Sequence, residues 1–359
     1  MNIYINLHAE INGSHTIHMR EAEMKINIRQ ISEATGFSPA TVSNALNHKK
    51  GVNRETAEAI FKAASEMGYI SAGENHKIRL VIYRRNGMII DGTPFFTQLI
   101  DGFENECRQA GFEMSIVYLD RRAEDYAQQV QELISDPSTG IALLGSELTG
   151  DDFDVFRSAR CPMITFDYFD EQMQFSGIVI NNIDSARAAT GYLLRMGHNR
   201  IGYLCGNFRI RAFQEREAGY RMAMSAAGAP AQEEYRMELS TTMDGAYADM
   251  KKLLADKKKL PTAFFSDNDM IALGAMKAMQ EAGIRVPEDV SVIGFDDLPY
   301  SEICSPRLTS LKVPKQEMGA AAAKCLIEVL NGEHPAKTKT EICTEFIERD
   351  SVQKKEKTE

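Results

Sequence analysis

INIRQISEATGFSPATVSNALNHKKGVNRETAEAIFKAASEMGYI, residues 26–70, is a compact three-helix pattern, and its reading decides most of the rest. A first helix starts after Asn27, with Gln30 three residues on completing a capping pair, and ends at Gly36. Ser38 caps a second helix, and Pro39 stands at its first position, where a missing N–H is harmless. Asn53 caps a third helix, which runs to Gly68. Ile31, Ala34, Phe37, Val42, Ala45, Leu46, Val52, Ala57, Ile60, Phe61, Ala64 and Met67 fall at helical spacing and are expected to share one small core. Pro39, Ala40 and Asn44 lie off that face, and the second helix carries almost nothing large and apolar on its outside.

Two short helices joined by a tight Gly-containing turn form a helix-turn-helix, whose second helix enters the major groove while the first crosses the backbone. The bland alternative is a small helical bundle without a ligand. SPATVSNALN followed by VNRETAEAIFKAASEMGY resembles the headpiece of the lactose-repressor (LacI/GalR) family, where T-V-S-x-x-L-N and a terminal G-Y recur at this spacing. That resemblance implies that Pro39, Ala40 and Asn44 contact bases and that Ser38, Thr41, Ser43 and Asn47 meet phosphate.

The remainder of the 359 residues must do something else, and the size suggests two or three domains. A net charge of −10 argues against a protein that coats nucleic acid generally. Its distribution is uneven: residues 25–79 hold eight Lys or Arg against five Asp or Glu, and residues 80–359 hold 32 against 43. An acidic body repelled by phosphate keeps DNA contact local to the headpiece. The six cysteines include no C-x-x-C pair and read as reduced thiols. His15 and His18 make a poor ligand set, so no metal site and no cofactor are expected. No apolar run reaches the ~18 residues of a membrane span, and residues 1–24 lack the basic start and apolar core of a secretory signal. These features point to a cytoplasmic protein with a disordered extension over 1–24, or with its true start at Met24.

After residue 77 apolar strands alternate with amphipathic helices: IRLVIY (78–83), EMSIVYL (113–119), GIALLG (140–145), PMITFD (162–167), RIGYLCG (200–206), TAFFSD (262–267) and VSVIGF (290–295). Short, β-rich and mostly apolar, they read as strands buried on both faces of parallel sheets, an α/β architecture. Neither G-x-G-x-x-G nor a P-loop opens any helix, so a nucleotide site is unsupported. Open sheets of this kind bind ligands at the carboxyl ends of their strands. Phe95 and Phe96, Asp167, Asp267 to Asp269, Asp296 and Asp297 stand at such ends, and Arg216 stands near a helix start. Each also has an ordinary reading, since Asp and Asn there commonly cap helices or form turns.

The resemblance extends over 78–351. GHNRIGYLCG, R-x-x-GY at 216–220, PTAFFSDNDMIALG, GIRVPEDVSVIGFDD, LTSL and FIERDSV look like successive blocks of the same family's effector domain, itself similar to periplasmic sugar-binding proteins. It implies two α/β lobes joined by three crossovers, with a small, sugar-like effector lined by Phe96, Asp167, Arg216, Asn268 and Asp296. It also implies a homodimer whose two headpieces match a two-fold symmetric operator. The helix over 314–330 is expected to return to the first lobe, and a last strand near 341–349 to close the second.

The resulting division is an extension (1–24), a DNA-binding domain (25–70), a linker (71–77), an effector and dimerisation domain (78–350) and a tail (351–359). The linker departs from the family, which has a longer one whose leucine wedges into the minor groove. SAGENHK offers no apolar wedge, so an operator bound without a strong kink is expected. The function read here is a DNA-binding repressor controlled by a small molecule. Two competing classes are a solute-binding protein for transport, and an enzyme using Asp267 with Asp269, or Asp296 with Asp297, as paired carboxylates.

Overall fold

The computed structural model describes residues 27–46, 52–67, 77–256, 259–332 and 336–355, and the chain divides into two compact units, Met1–Ala72 and Gly73–Glu359. In the first unit, α1 (Ile28–Thr35) opens with a capping box: the Gln30 amide donates to Asn27 Oδ1 at 3.2 Å, and the Asn27 amide donates to Gln30 Oε1 at 2.8 Å. Gly36, at φ 74°, ends the helix in the left-handed conformation that glycine adopts most readily. Ser38 Oγ accepts from the Thr41 amide at 3.1 Å ahead of α2 (Pro39–Leu46), and Asn53 Oδ1 accepts from the Thr56 amide at 2.8 Å ahead of α3 (Arg54–Glu66). Each such cap is worth ~1 kcal/mol. Ile31, Val42, Ala45, Ile60 and Ala64 are buried together, with Phe37, Leu46, Val52 and Met67 packed against them. Ala34, expected in this core, is exposed. It sits on the solvent side of α1, and its methyl gives helical spacing too weak a signal to define a face.

The second unit is built on two parallel sheets. Strands β1 (Lys77–Arg84), β2 (Met114–Asp120), β3 (Thr139–Leu144), β4 (Met163–Phe166), β5 (Ser176–Ile180) and β11 (Lys339–Ile342) form the first, in the order β11-β5-β4-β3-β1-β2. Strands β6 (Ile201–Gly206), β7 (Arg236–Leu239), β8 (Ala263–Ser266) and β9 (Ser291–Ile293) form the second, in the order β7-β6-β8-β9. All residues of β3, β4, β6 and β8 are buried, as strands covered by helices must be, whereas β2, expected to be buried on both faces, is an edge strand that leaves Ile116 and Tyr118 exposed. Helix α4 (Phe95–Gln109) covers the first sheet with Phe96, Leu99, Phe103 and Cys107, spaced three or four apart. Each such aromatic or Leu contributes ~1.5–3 kcal/mol.

The chain passes from lobe to lobe after β5, again between β9 and α11 (Lys315–Leu330), and last between β11 and β12 (Glu345–Ile347). Helix α11 returns to the first lobe as expected, because two glycines let backbones touch. A Cβ on Gly102 would lie 2.1 Å from the Gln316 carbonyl oxygen, and one on Gly319 would lie 2.1 Å from that of Leu99. The expected last strand is two strands. Lys339–Ile342 joins the edge of the first sheet beside β5, and Glu345–Ile347 pairs antiparallel with β10 (Ser310–Lys312). Lys77, expected as linker, already belongs to β1, and 71–76 lie outside the described residues. Of the expected tail, Ser351 is buried, accepting from the Thr309 amide at 2.8 Å and donating to the Val292 carbonyl at 2.6 Å.

Candidate functional site

In the first unit, Ser38, Pro39 and Ala40 are exposed at the start of α2, and Thr41, Ser43 and Asn44 are half-buried behind them. Val42 and Ala45, both buried, hold the opposite side of α2 to the core. The hydroxyls of Ser38 and Thr41 lie 2.8 Å apart. This helix start therefore presents short polar side chains, which suit phosphate oxygens and base edges. Asn47 lies outside the described residues.

In the second unit, Phe96, Asp167, Arg216, Asn268 and Asp296 line one cavity of about 30 Å³. Phe96 opens α4 and Asp167 follows β4, both in the first lobe. Arg216 lies on α7 (Arg211–Ala226), Asn268 follows β8 and Asp296 follows β9, all in the second lobe. Asp167 and Asp296 have φ of 53° and 102°, strained values for residues with a Cβ. Such strain persists only where the surroundings enforce it, and it concentrates at functional sites.

Arg216 organises the second-lobe wall. Its Nε donates to Asn182 Oδ1 at 2.9 Å and its Nη1 to the Asp267 carbonyl at 2.5 Å, while Nη2 stands 3.5 Å from Asp296 Oδ1. The guanidinium lies 3.5 Å above the Phe295 ring centroid, a buried cation–π contact. Burial pushes Asp296 up to about 6, opposed by Arg216 and Lys315 and reinforced by the neighbouring Asp167 and Asp267. Asp167 is likewise pushed up to about 6 by burial, against a 2.5 Å hydrogen bond donated by the Ser146 hydroxyl and the charge of Arg216.

Asn268 has both of its possible roles: its Oδ1 caps α9 (Asp269–Glu281) by accepting from the Ile271 amide at 3.0 Å, and it also lines the cavity. The paired-carboxylate reading meets a different arrangement. Asp267 accepts from Arg209, from the Tyr203 hydroxyl and, at 2.7 Å, from the Gly206 amide. Asp269 accepts from the Leu298 amide and from the hydroxyls of Ser301 and Ser310, at 2.8, 2.7 and 2.6 Å. Asp297 is paired with Arg349 at 2.6 Å. These carboxylates hold loops and strand ends together.

Sequence reasoning missed the apolar lining of Ile89, Ile180, Ile210 and Phe213, together with Thr93. It also missed Glu147, a fully buried carboxylate that accepts from the amides of Arg85, Asn86, Gly87, Ile89 and Ile90 at 2.8–3.1 Å. Its placement just past GIALLG, at a strand's carboxyl end, was the available signal.

A helix-turn-helix unit followed by a two-lobed α/β unit with a buried polar cavity between its lobes defines a DNA-binding regulator with an effector domain. Residues 27–71 match the family of bacterial regulatory proteins, lacI family, and residues 190–352 match the periplasmic binding protein-like domain. Over 330 residues, 91% of this chain and 98% of the relative, the sequence is 32% identical to the HTH-type transcriptional repressor PurR of Vibrio parahaemolyticus serotype O3:K6. The structure superposes on the transcriptional regulator CelR in complex with cellobiose with a TM-score of 0.69 and 26% identity, covering 91% of this chain and 99% of that one. It also superposes on the lac repressor dimer bound to operator and the anti-inducer ONPF, with a TM-score of 0.66 and 22% identity over 91% and 99% of the two chains, a likeness of fold. The chain belongs to the LacI family. It is a DNA-binding transcriptional repressor with an effector-binding domain, and its relatives are repressors, not enzymes.

Proposed function

We propose that α2 reads an operator in the major groove and that the cavity between the lobes takes a sugar-like effector that sets operator affinity. Pro39, Ala40 and Asn44 are assigned to base edges, and Ser38, Thr41, Ser43 and Asn47 to phosphate. Support comes from the exposure of Ser38, Pro39 and Ala40 at the helix start. Phe96, Asp167, Arg216, Asn268 and Asp296 are assigned to the effector. The observation that carries this reading is the convergence of these five, from opposite lobes, on a single cavity. A sugar suits the pairing of aromatic faces with hydroxyl acceptors, and the relative CelR is a cellobiose complex.

The functional form is a cytoplasmic homodimer on a two-fold symmetric operator, as the lac repressor relative is a dimer bound to its operator. The working division is a DNA-binding domain over 25–70, a linker over 71–76 and an effector and dimerisation domain that begins at Lys77 and includes Ser351. With no Leu, Ile, Phe or Met in SAGENHK, the operator is bound without a wedge-driven kink, and half-site spacing is strict.

Arg216→Ala tests the effector site. The substitution leaves Asn182, the Asp267 carbonyl and Asp296 without their partner, and removing one partner of a buried charged contact commonly costs ~3 kcal/mol or more. Effector binding in calorimetry should fall by about 100-fold or more, the equivalent of that energy. Unchanged affinity in a protein whose circular dichroism is intact would sink the assignment.

A further inference from the structure

Beside the small cavity the cleft opens into a second space of about 620 Å³. The two share Ile89, Thr93 and Asn268 as lining and are therefore adjacent. The lobes are bridged at this outer space, where Thr241 Oγ1 of the second lobe donates to the Met88 carbonyl of the first at 3.1 Å. The inner cavity, about 30 Å³, has room for little more than a water, whereas ligand sites commonly reach ~300–1,000 Å³. A ring enters the inner cavity only when the lobes part; the outer space accepts one as it stands.

The walls of the outer space are of two kinds. Met88, Met243 and Met270 supply adaptable apolar surface, and Tyr300, 41% exposed, supplies an aromatic face. Asp91, Thr242 and Asp244 supply polar groups. Among the described residues lining either space, Arg216 is the single cation, and its Nε and both Nη already face Asn182, the Asp267 carbonyl and Asp296. Four carboxylates line the same cleft: Asp91, Asp167, Asp244 and Asp296. Asp91 is paired with Arg84 at 2.7 Å. An entering phosphate or carboxylate would meet acceptors and like charge with no uncommitted donor cation, an arrangement that rejects it.

We propose that the effector is an uncharged saccharide of at least two rings. One ring donates hydroxyls toward Asp167 and Asp296, the next lies on the methionine and Tyr300 surface, and phosphorylated or acidic sugars are excluded by the carboxylates. The inference rests on the cleft being the effector site.

The test is calorimetry and thermal melting of the full chain with glucose, cellobiose, maltose, maltotriose, glucose 6-phosphate and glucuronate. A neutral di- or trisaccharide should bind and raise the melting temperature, with glucose weaker by at least about tenfold, the worth of ~1.4 kcal/mol, and neither acidic probe binding. Tyr300→Ala, at an exposed position that the fold does not depend on, should weaken the bound oligosaccharide by about fivefold, in line with a lost ring contact. Glucose binding as tightly as the oligosaccharides, either acidic probe binding, or no oligosaccharide binding overturns the proposal. If a single ring or an acidic sugar binds and Arg216→Ala abolishes it, only the two-ring, uncharged class fails. Binding that survives Arg216→Ala removes the cleft reading itself.

Discussion

The two lobes line the same cleft with different chemistry. The first contributes Phe96, Ile89, Ile180 and Thr93 around one lightly bonded carboxylate, Asp167. The second contributes Ile210, Ala212 and Phe213 beside Arg216, Asn268 and Asp296, and these last three belong to a buried polar region that includes Asn182, Asp267 and Asp269. Apolar surface and hydroxyls adapt to a ligand by small side-chain movement, whereas a bonded guanidinium moves only if several buried groups lose partners together. The second lobe is thus the preformed half of the site, and the first is the half that closes on it.

The contrast breaks most readily at Asp269, which lines no part of the small cavity yet accepts three hydrogen bonds from the loops around Asp296. Asp269→Ala leaves those donors unpaired and should destabilise the effector domain by ~3 kcal/mol, at ~1–3 kcal/mol per stranded buried group. The readout is a melting temperature lower by about 6–12 °C, at ~2–4 °C per kcal/mol for a domain of this size. Asp269→Asn should be milder at neutral pH, because burial already pushes this carboxyl up to about 7 and the amide oxygen can still accept from Leu298 and Ser301 while its NH2 group donates to the Ser310 hydroxyl. If both variants melt alike, the network does not hold the second lobe.

Effects of pH sharpen the same contrast. Asp167 and Asp296 are raised to about 6 and Asp269 to about 7, all above the ~3.9 of an unfolded Asp. A raised folded pKa contributes stability that is complete below ~3.9 and is lost as pH climbs through 6 to 7, so these groups make the domain more stable as pH falls from 8 to 5. Effector affinity should move the other way, because a carboxylic acid is a poorer acceptor of ligand hydroxyls than a carboxylate. Between pH 7 and 5 it should drop by about tenfold, the loss of ionised form one unit below a pKa of 6. Affinity that is flat over this range would show that neither Asp167 nor Asp296 meets the ligand in ionised form.

On the first lobe, Phe96→Ala should weaken effector binding by about fivefold, consistent with ~1 kcal/mol for an aromatic face, well short of the Arg216→Ala effect. An equal or larger loss would reverse the ranking of the lobes.

The narrowest effect is expected in the headpiece, where the site is a surface and a change alters one base preference rather than overall binding. Asn44→Ala should relax base preference at one symmetric operator position by ~1–3 kcal/mol and leave non-specific binding nearly intact. Selection of bound DNA fragments with mutant and parent gives the answer; identical logos would show that Asn44 reads nothing.

The headpiece was legible because its signals are local. Asn27 with Gln30, Ser38 before Pro39, Gly36 and Asn53 each act within four residues, and each forms the cap its type dictates. The long apolar strands were legible for a similar reason, since IRLVIY or GIALLG can only be a segment hidden from water. FSGIVI and YRMEL were not read as strands, though β5 and β7 lie there; they are short, and pairing decides them, with β4 and β11 for β5 and with β6 for β7. The run 341–349 was read as one strand because periodicity says nothing of which sheet a residue joins, and β11 and β12 pair in different ones.

For the site, residue type and strand-end position singled out Phe95, Phe96, Asp167, Asp267 to Asp269, Asp296, Asp297 and Arg216, and the family resemblance narrowed these to Phe96, Asp167, Arg216, Asn268 and Asp296, which meet in one cavity. Type and position did not distinguish Asp296, which faces Arg216 in that cavity, from Asp297, one residue on and paired with Arg349. By itself the sequence determined the headpiece, the alternation of strand and helix, and the presence of acidic strand ends, because caps, turns and hydrophobic period act over a few neighbours. Only the tertiary structure decided that Asp267 and Asp269 are structural, that Glu147 gathers the loop after β1, and that a large space walled by methionines, Tyr300, Asp91 and Asp244 adjoins the small one around Arg216. Those outcomes depend on contacts between residues 29 to 64 positions apart, whose geometry no local pattern encodes.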